Sequence, residues 1–238
     1  MSIDFAQELN QEQLRVVQHG DGPCLVLAGA GTGKTRTIVY RVAYLLEHGV
    51  APDKILLVTF TNKAAREMLS RVETLISVAA QTKDSLLRAQ RTVFSLPWAG
   101  TFHHVGSRTL RLYGSRIGIA PSFTIMDAQD NLALVKAVMI AQGMSAKKND
   151  KYVPAPDLLE NLFSFSVNSL RPLPELIAEW IPKHKHLTPE IVRIAAAYEQ
   201  KKQERNILSF DDLLSLWLRV LRERPEVRQS LGGKFEYF

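Results

Sequence analysis

The chain has 238 residues, 46% of them hydrophobic and 23% charged, with a formal net charge of +6 and one cysteine. That length allows one large domain or two small ones with a sizeable core. It holds no apolar run of membrane-spanning length and no signal peptide at its start, and a lone Cys24 excludes an intramolecular disulfide. A cytoplasmic protein with Cys24 as a small buried thiol is expected.

Leu9-Asn10-Gln11-Glu12-Gln13 opens a short amphipathic helix, with Asn10 as N-cap and Gln13 at the capping-box position three residues on. The Gln13 amide also has the donor and acceptor that a purine edge requires, and from the residues alone the cap is the favoured role. Cys24-Leu25-Val26-Leu27 reads as a buried strand running into Ala28-Gly29-Ala30-Gly31-Thr32-Gly33-Lys34-Thr35-Arg36. Glycines at 29, 31 and 33 permit turn angles that a Cβ obstructs, so several N–H groups can converge on an anion where a helix begins. In such a loop Lys34 meets the β/γ-phosphates and the Thr35 hydroxyl ligates Mg²⁺. The general pattern has Gly where this chain has Ala28.

Thr37–Glu47 repeats apolar residues at helical spacing up to a stop at Gly49, and Ile55-Leu56-Leu57-Val58 is an apolar strand suited to a parallel sheet. A second strand-to-helix turn follows at Thr59–Ala65. There Phe60 can stack on a base while Thr61 and Asn62 bond phosphate; the competing reading puts Phe60 in the core and makes Thr61 a helix cap. Thr82–Leu96 is a polar, basic surface excursion. Trp98–Phe102 is a further short strand that delivers Thr101, His103 and His104 at its end. No Cys or carboxylate stands near the His pair to complete a metal site. Between Asp84 and Asp127 there is no acidic residue, while five arginines fall in the same window, an unopposed basic stretch suited to a polyanion.

Beyond Val105 the pattern turns helical. Phe123-Thr124-Ile125 is the remaining strand signal, Asp127 caps a helix running to Gln142, and Gly143–Pro156 is a polar loop. Helices are expected over Asp157–Val167, Leu173–Ile181 and Pro189–Arg205, separated by prolines, with Lys183-His184-Lys185-His186 as a solvated loop. Ser209 and Asp212 form a capping box, a simpler account of Asp211-Asp212 than Mg²⁺ binding, since adjacent side chains on a helix diverge. Pro225–Leu231 is a last helix ended by Gly232-Gly233, and Lys234–Phe238 reads as the first half of a strand.

Taken together, these motifs resemble the N-terminal portion of a UvrD/Rep/PcrA-type superfamily 1 DNA helicase. Leu9–Gln13 resembles the family's adenine-reading motif with Gln13 as reader, and Ala28–Thr35 its phosphate loop, in which alanine at position 28 is a common variant. Arg36 matches an arginine near the base. Thr59–Ala65 and Gly100-Thr101-Phe102-His103 resemble its DNA-contacting motifs, and Leu208–Leu213 the turn re-entering the first motor domain. The longer Ser77–Pro97 stretch departs from the pattern.

The resemblance implies an α/β fold, a RecA-like P-loop sheet over residues 1–110, an inserted all-helical subdomain over 111–205, and a return to the motor over 206–238. It implies Mg-ATP held by Gln13, Ala28, Gly29, Ala30, Gly31, Thr32, Gly33, Lys34, Thr35 and Arg36, with Lys34 and Thr35 catalytic and Thr35 on the metal. It places single-stranded DNA and duplex–single-strand junctions on Phe60, Thr61, Asn62, Thr101, Phe102 and His103. An Asp-Glu pair and a second RecA-like domain are expected after Phe238, so the chain reads as a fragment of a 3′–5′ translocase of repair or replication with negligible hydrolysis of its own. Two alternatives stay open: the motor of a RecB/AddA-like helicase–nuclease, and a non-catalytic nucleotide-binding module.

Overall fold

A computed structural model describes residues 3–81, 95–144 and 152–238. The excursion expected over Thr82–Leu96 lies outside the described residues except for its last two, as does half of the Gly143–Pro156 loop. The chain divides into two compact units, Met1–Val105 with Gln229–Phe238, and Gly106–Arg228.

The first unit contains α1 (Phe5–Glu8), α2 (Gln11–Val17), α3 (Lys34–Glu47), β1 (Leu57–Thr59), α4 (Asn62–Gln81), β2 (Ala99–Thr101) and the start of α5 (Phe102–Tyr113). α3 stops where Gly49 takes a φ of 85°, which glycine adopts without strain. β1 and β2 pair in parallel, Leu57 opposite Ala99 and Thr59 opposite Thr101, and Ile55 bridges in parallel to Tyr237 on the other side. Val39, Val42 and Leu45 of α3 and Met68 and Val72 of α4 bury their apolar stripes with Leu57 and Ala99, while Phe5, Leu9, Val17 and Tyr40 form a smaller cluster.

The expected strand at Cys24–Leu27 is not formed. Leu25 and Leu27 are 85% and 88% exposed, and the Cys24 thiol is exposed where burial was expected. An apolar run becomes a strand only when another strand satisfies its N–H and C=O groups, and among the described residues none pairs with this one. The last helix also differs. α11 (Pro225–Lys234) runs through Gly232-Gly233, and its next turn is closed by Phe235 N–H donating to the Leu231 carbonyl at 3.2 Å. The Phe235 ring is buried edge-on against Trp98, 5.1 Å between centroids, and that packing outweighs the poor helix propensity of two glycines.

The second unit is built of the rest of α5, β3 (Thr124–Ile125), α6 (Ala128–Ala141), α7 (Pro156–Ser169), α8 (Leu173–Trp180), α9 (Thr188–Arg205), β4 (Ile207–Leu208), α10 (Phe210–Glu223) and the start of α11. The prolines that separate the helices stand in their first turns, where a missing N–H costs nothing. Asp127 caps α6 and Ser209 with Asp212 makes the capping box of α10, both as expected. Lys183–His186 lies in a 3₁₀ turn, Pro182–Leu187. β4 carries no strand signal of its own. It forms because Asn206 ends α9 in the left-handed region, φ 51°, turning the chain alongside β3 with Thr124 opposite Ile207. Leu134, Val138, Leu159, Leu162, Leu176, Ile191 and Ile194 belong to the core of this unit.

Beside that core Lys202, 3% exposed, donates to both carboxylate oxygens of buried Asp212 at 3.0 and 2.8 Å and to Glu199 at 2.8 Å. Asp212 Oδ2 also accepts from the Ser209 N–H at 2.6 Å, so the ion pair ties α9 to the cap of α10. Removing the ammonium strands a buried carboxylate, and Lys202→Met is expected to lower stability by about 3 kcal/mol. Adding Asp212→Asn, which needs no counter-charge, should recover part of that loss; urea unfolding of both variants checks it.

Candidate functional site

Helix α2 sets one wall of the site. The Asn10 Oδ1 accepts from the Gln13 N–H at 2.8 Å, and Gln13 Oε1 accepts from the Asn10 N–H at 3.2 Å, completing the capping box. The other end of the same amide, Nε2, donates to the Thr32 carbonyl at 3.2 Å. Gln13 is thus both a cap and a strut for the glycine loop. Within that loop the Thr32 hydroxyl donates to the Gly29 carbonyl at 2.9 Å, and Gly31 and Gly33 sit at φ 79° and 86°. The φ of 86° favours glycine at position 33, and a Cβ there would lie 2.8 Å from Gln13 Nε2, so a side chain would displace the Gln13 amide from its place against the loop.

Gly33 is the N-cap of the 14-residue α3 and provides no side-chain acceptor, and the first turn of the helix contains no acid. The leading N–H groups and the positive end of the helix dipole therefore meet no side-chain anion of their own, an arrangement suited to a phosphate. Lys34 Nζ donates to the Ala28 and Gly29 carbonyls at 3.1 and 2.6 Å, folding its ammonium back over the loop. Ala30 and Thr35 are exposed, and the Thr35 hydroxyl has no hydrogen-bond partner among the described residues. Arg36 points away from Lys34's partners: its Nη2 donates to the Glu8 carbonyl at 2.8 Å and to Glu8 Oε2 at 2.9 Å. Tyr40, one turn along α3, donates its hydroxyl to that same Oε2 at 3.0 Å. Burial, and then the bond to the Glu8 carboxylate, push the Tyr40 hydroxyl pKa above its ordinary value.

A second surface lies at the carboxyl ends of the paired strands. Because Thr59 is opposite Thr101, the next residues, Phe60 and Phe102, are brought side by side with ring centroids 5.7 Å apart. Phe60 is 87% exposed and so is not core. Thr61 does cap α4, its Oγ1 accepting from the Ala64 N–H at 3.1 Å, and Asn62 is exposed beside it. Thr101 is buried and caps α5 through an acceptor bond from the His104 N–H at 3.2 Å, while His103 is half-buried. The structure therefore joins Phe60, Thr61, Asn62 and Phe102 at one surface and turns Thr101 inward. Gly100 allows the His104 ring to close on the strand, since a Cβ would stand 2.9 Å from His104 Cδ2.

Among the described residues no group of three His, Cys, Asp or Glu side chains is placed to hold a metal ion. No described helix is long and apolar enough to cross a membrane. Sequence reasoning missed Glu8 and Tyr40; the available signal was the i, i+4 spacing of Arg36 and Tyr40 on one face of α3.

Mixed helix and short parallel sheet with a glycine loop opening a helix is compatible with a helicase domain, and comparison with family models returns that class. Residues 9–238 match the UvrD/REP helicase N-terminal domain, and the chain belongs to this family. Among individual relatives, the ATP-dependent DNA helicase PcrA of Staphylococcus aureus (strain Mu50) is 33% identical over 230 residues, covering 96% of this chain and 28% of the relative. PcrA of Staphylococcus epidermidis (strain RP62A) is 33% identical over 234 residues, covering 98% and 29%. The chain thus spans less than a third of the length of these relatives.

Gly33→Ala should displace the Gln13 amide and free the loop. The expected result is faster hydrogen exchange at residues 29–35 with little change in the β1–β2 pair, read by exchange mass spectrometry.

Proposed function

We propose that the chain is the ATP-binding and single-stranded-DNA-binding N-terminal part of an ATP-dependent 3′–5′ DNA helicase or translocase, a cytoplasmic protein of DNA repair or replication. In this reading residues 1–110 and 206–238 belong to a RecA-like motor and 111–205 to a helical insertion. The observation that carries the reading is the glycine loop at the uncapped N-terminus of α3, buttressed by Gln13 and overlaid by Lys34.

On binding, the triphosphate takes the place of the Ala28 and Gly29 carbonyls as partner of Lys34, and the loop N–H groups receive the phosphate oxygens. Gln13 and Arg36 stand at the base. The Thr35 hydroxyl would be the residue that holds Mg²⁺, and the ion would supply charge neutralisation on the phosphates. Thr35 is exposed, and its hydroxyl has no hydrogen-bond partner among the described residues to compete with that role. Phe60 and Phe102 offer adjoining ring faces for base stacking, with Asn62 and the exposed N-terminus of α4 for backbone phosphate. Duplex–single-strand junctions and a second motor domain are further partners in this reading.

Two measurements test the reading. Lys34→Ala removes a charge-assisted contact and should weaken Mg-ATP binding about tenfold to a hundredfold in calorimetry; unchanged affinity would contradict it. Phe60→Ala should leave stability within about 0.5 kcal/mol while weakening oligo(dT) binding about fivefold or more, with affinity falling as salt rises. Fluorescence anisotropy on a labelled oligonucleotide reads both effects.

A further inference from the structure

Arg36 is held more firmly than a surface arginine need be. Its Nη2 makes two bonds to one residue, the Glu8 carbonyl at 2.8 Å and the Glu8 carboxylate at 2.9 Å, and its Cζ stands 5.2 Å over the Tyr40 ring. Tyr40 is itself fixed: it is 7% exposed, packs in the cluster of Phe5, Leu9 and Val17, and bonds the same Glu8 oxygen at 3.0 Å. Glu8, Arg36 and Tyr40 thus form a closed triangle of contacts joining the end of α1 to the first turns of α3. A flexible, rotamer-rich side chain becomes a fixed planar cation.

The triangle adjoins the loop. The point where a Gly33 Cβ would stand is 2.8 Å from Gln13 Nε2 and 3.9 Å from Arg36 Cβ, so both side chains leave from the same edge of the loop. With one nitrogen committed to Glu8, the guanidinium keeps other donors and a flat face, which suit an aromatic heterocycle better than a phosphate. The adjacent carboxylate also offsets the positive charge, so Arg36 contributes little long-range attraction to a polyanion. Neither the glycine-loop pattern nor the Gln13 motif asks for an acid at position 8 or a tyrosine at position 40.

We propose that Glu8 and Tyr40 are a positioning pair that holds the Arg36 guanidinium against the nucleobase of the bound nucleotide, making them determinants of base affinity and not of phosphate affinity. This rests on the reading of the glycine loop as an ATP site. The test compares Mg-ATP with Mg-tripolyphosphate, each displacing a fluorescent ATP analogue from the 238-residue chain. Glu8→Ala should lower ATP affinity about threefold to fivefold and leave tripolyphosphate affinity unchanged. Glu8→Gln, which keeps the acceptor oxygen, should restore most of the difference, and Tyr40→Phe should fall between them; thermal melting confirms that each variant is folded.

An ATP-to-tripolyphosphate ratio that is the same in all variants overturns the proposal, as does tighter ATP binding by Glu8→Ala, which would make Glu8 a restraint that nucleotide must displace. Lys34→Ala distinguishes loss of the ATP site from loss of the positioning pair. If it binds both ligands as the parent chain does, the loop is not the ATP site. If it loses both while Glu8→Ala leaves the ratio unaltered, the ATP site stands and the positioning pair alone is refuted.

Discussion

Both ends of the Gln13 amide are engaged, one with the Asn10 N–H at the start of α2 and the other with the Thr32 carbonyl in the glycine loop. Among the described residues no strand pairs with the segment before the loop, and this hydrogen bond and the internal Thr32–Gly29 bond tie the loop on its way into α3. Two left-handed glycines make that path possible, and one of them, Gly33, leaves room for the Gln13 side chain. Position, backbone angle and amide are mutually dependent. Change any one and the path of the loop into α3 changes with it.

The same economy appears at the other strand ends. Parallel register places Thr59 beside Thr101, and the residue after each threonine is an outward phenylalanine. The threonine caps at Thr61 and Thr101 then start α4 and α5 directly behind those rings. In the helical unit a buried lysine performs the corresponding task, joining α9 to the cap of α10 through Asp212. The buried Thr101, Lys202, Ser209 and Asp212 each carry a hydrogen bond that fixes the direction of a chain segment.

Local signals in the sequence were read well where the cause is local. The Asn10–Gln13 and Ser209–Asp212 boxes, the Gly49 stop, the Asp127 cap and the proline-started helices depend on residues within one turn, and all are found. Failures fall where a distant partner decides. Cys24–Leu27 has the composition of a buried strand but no pairing neighbour among the described residues, and α11 outruns two glycines because Phe235 packs on Trp98. β4 arises from a turn at Asn206 and the proximity of β3, neither visible as periodicity. In the glycine loop, the turn at Gly31 and Gly33 and the start of α3 at Lys34 were legible from spacing, whereas the bond from Gln13 to the Thr32 carbonyl was not. Thr101 was not seen to face inward, and Glu8 and Tyr40 emerged only once α1 and α3 were brought together.

In the proposed function the head of α3 and its glycine loop receive a nucleotide's phosphates while Gln13 and Arg36 face its base, and amide nuclear magnetic resonance during a Mg-ATP titration tests this. Saturable shifts are expected at the backbone N–H groups of Gly31, Gly33, Lys34 and Thr35, together with the Gln13 side-chain amide. Shifts confined to other surfaces, with these five groups unmoved at saturation, would contradict it.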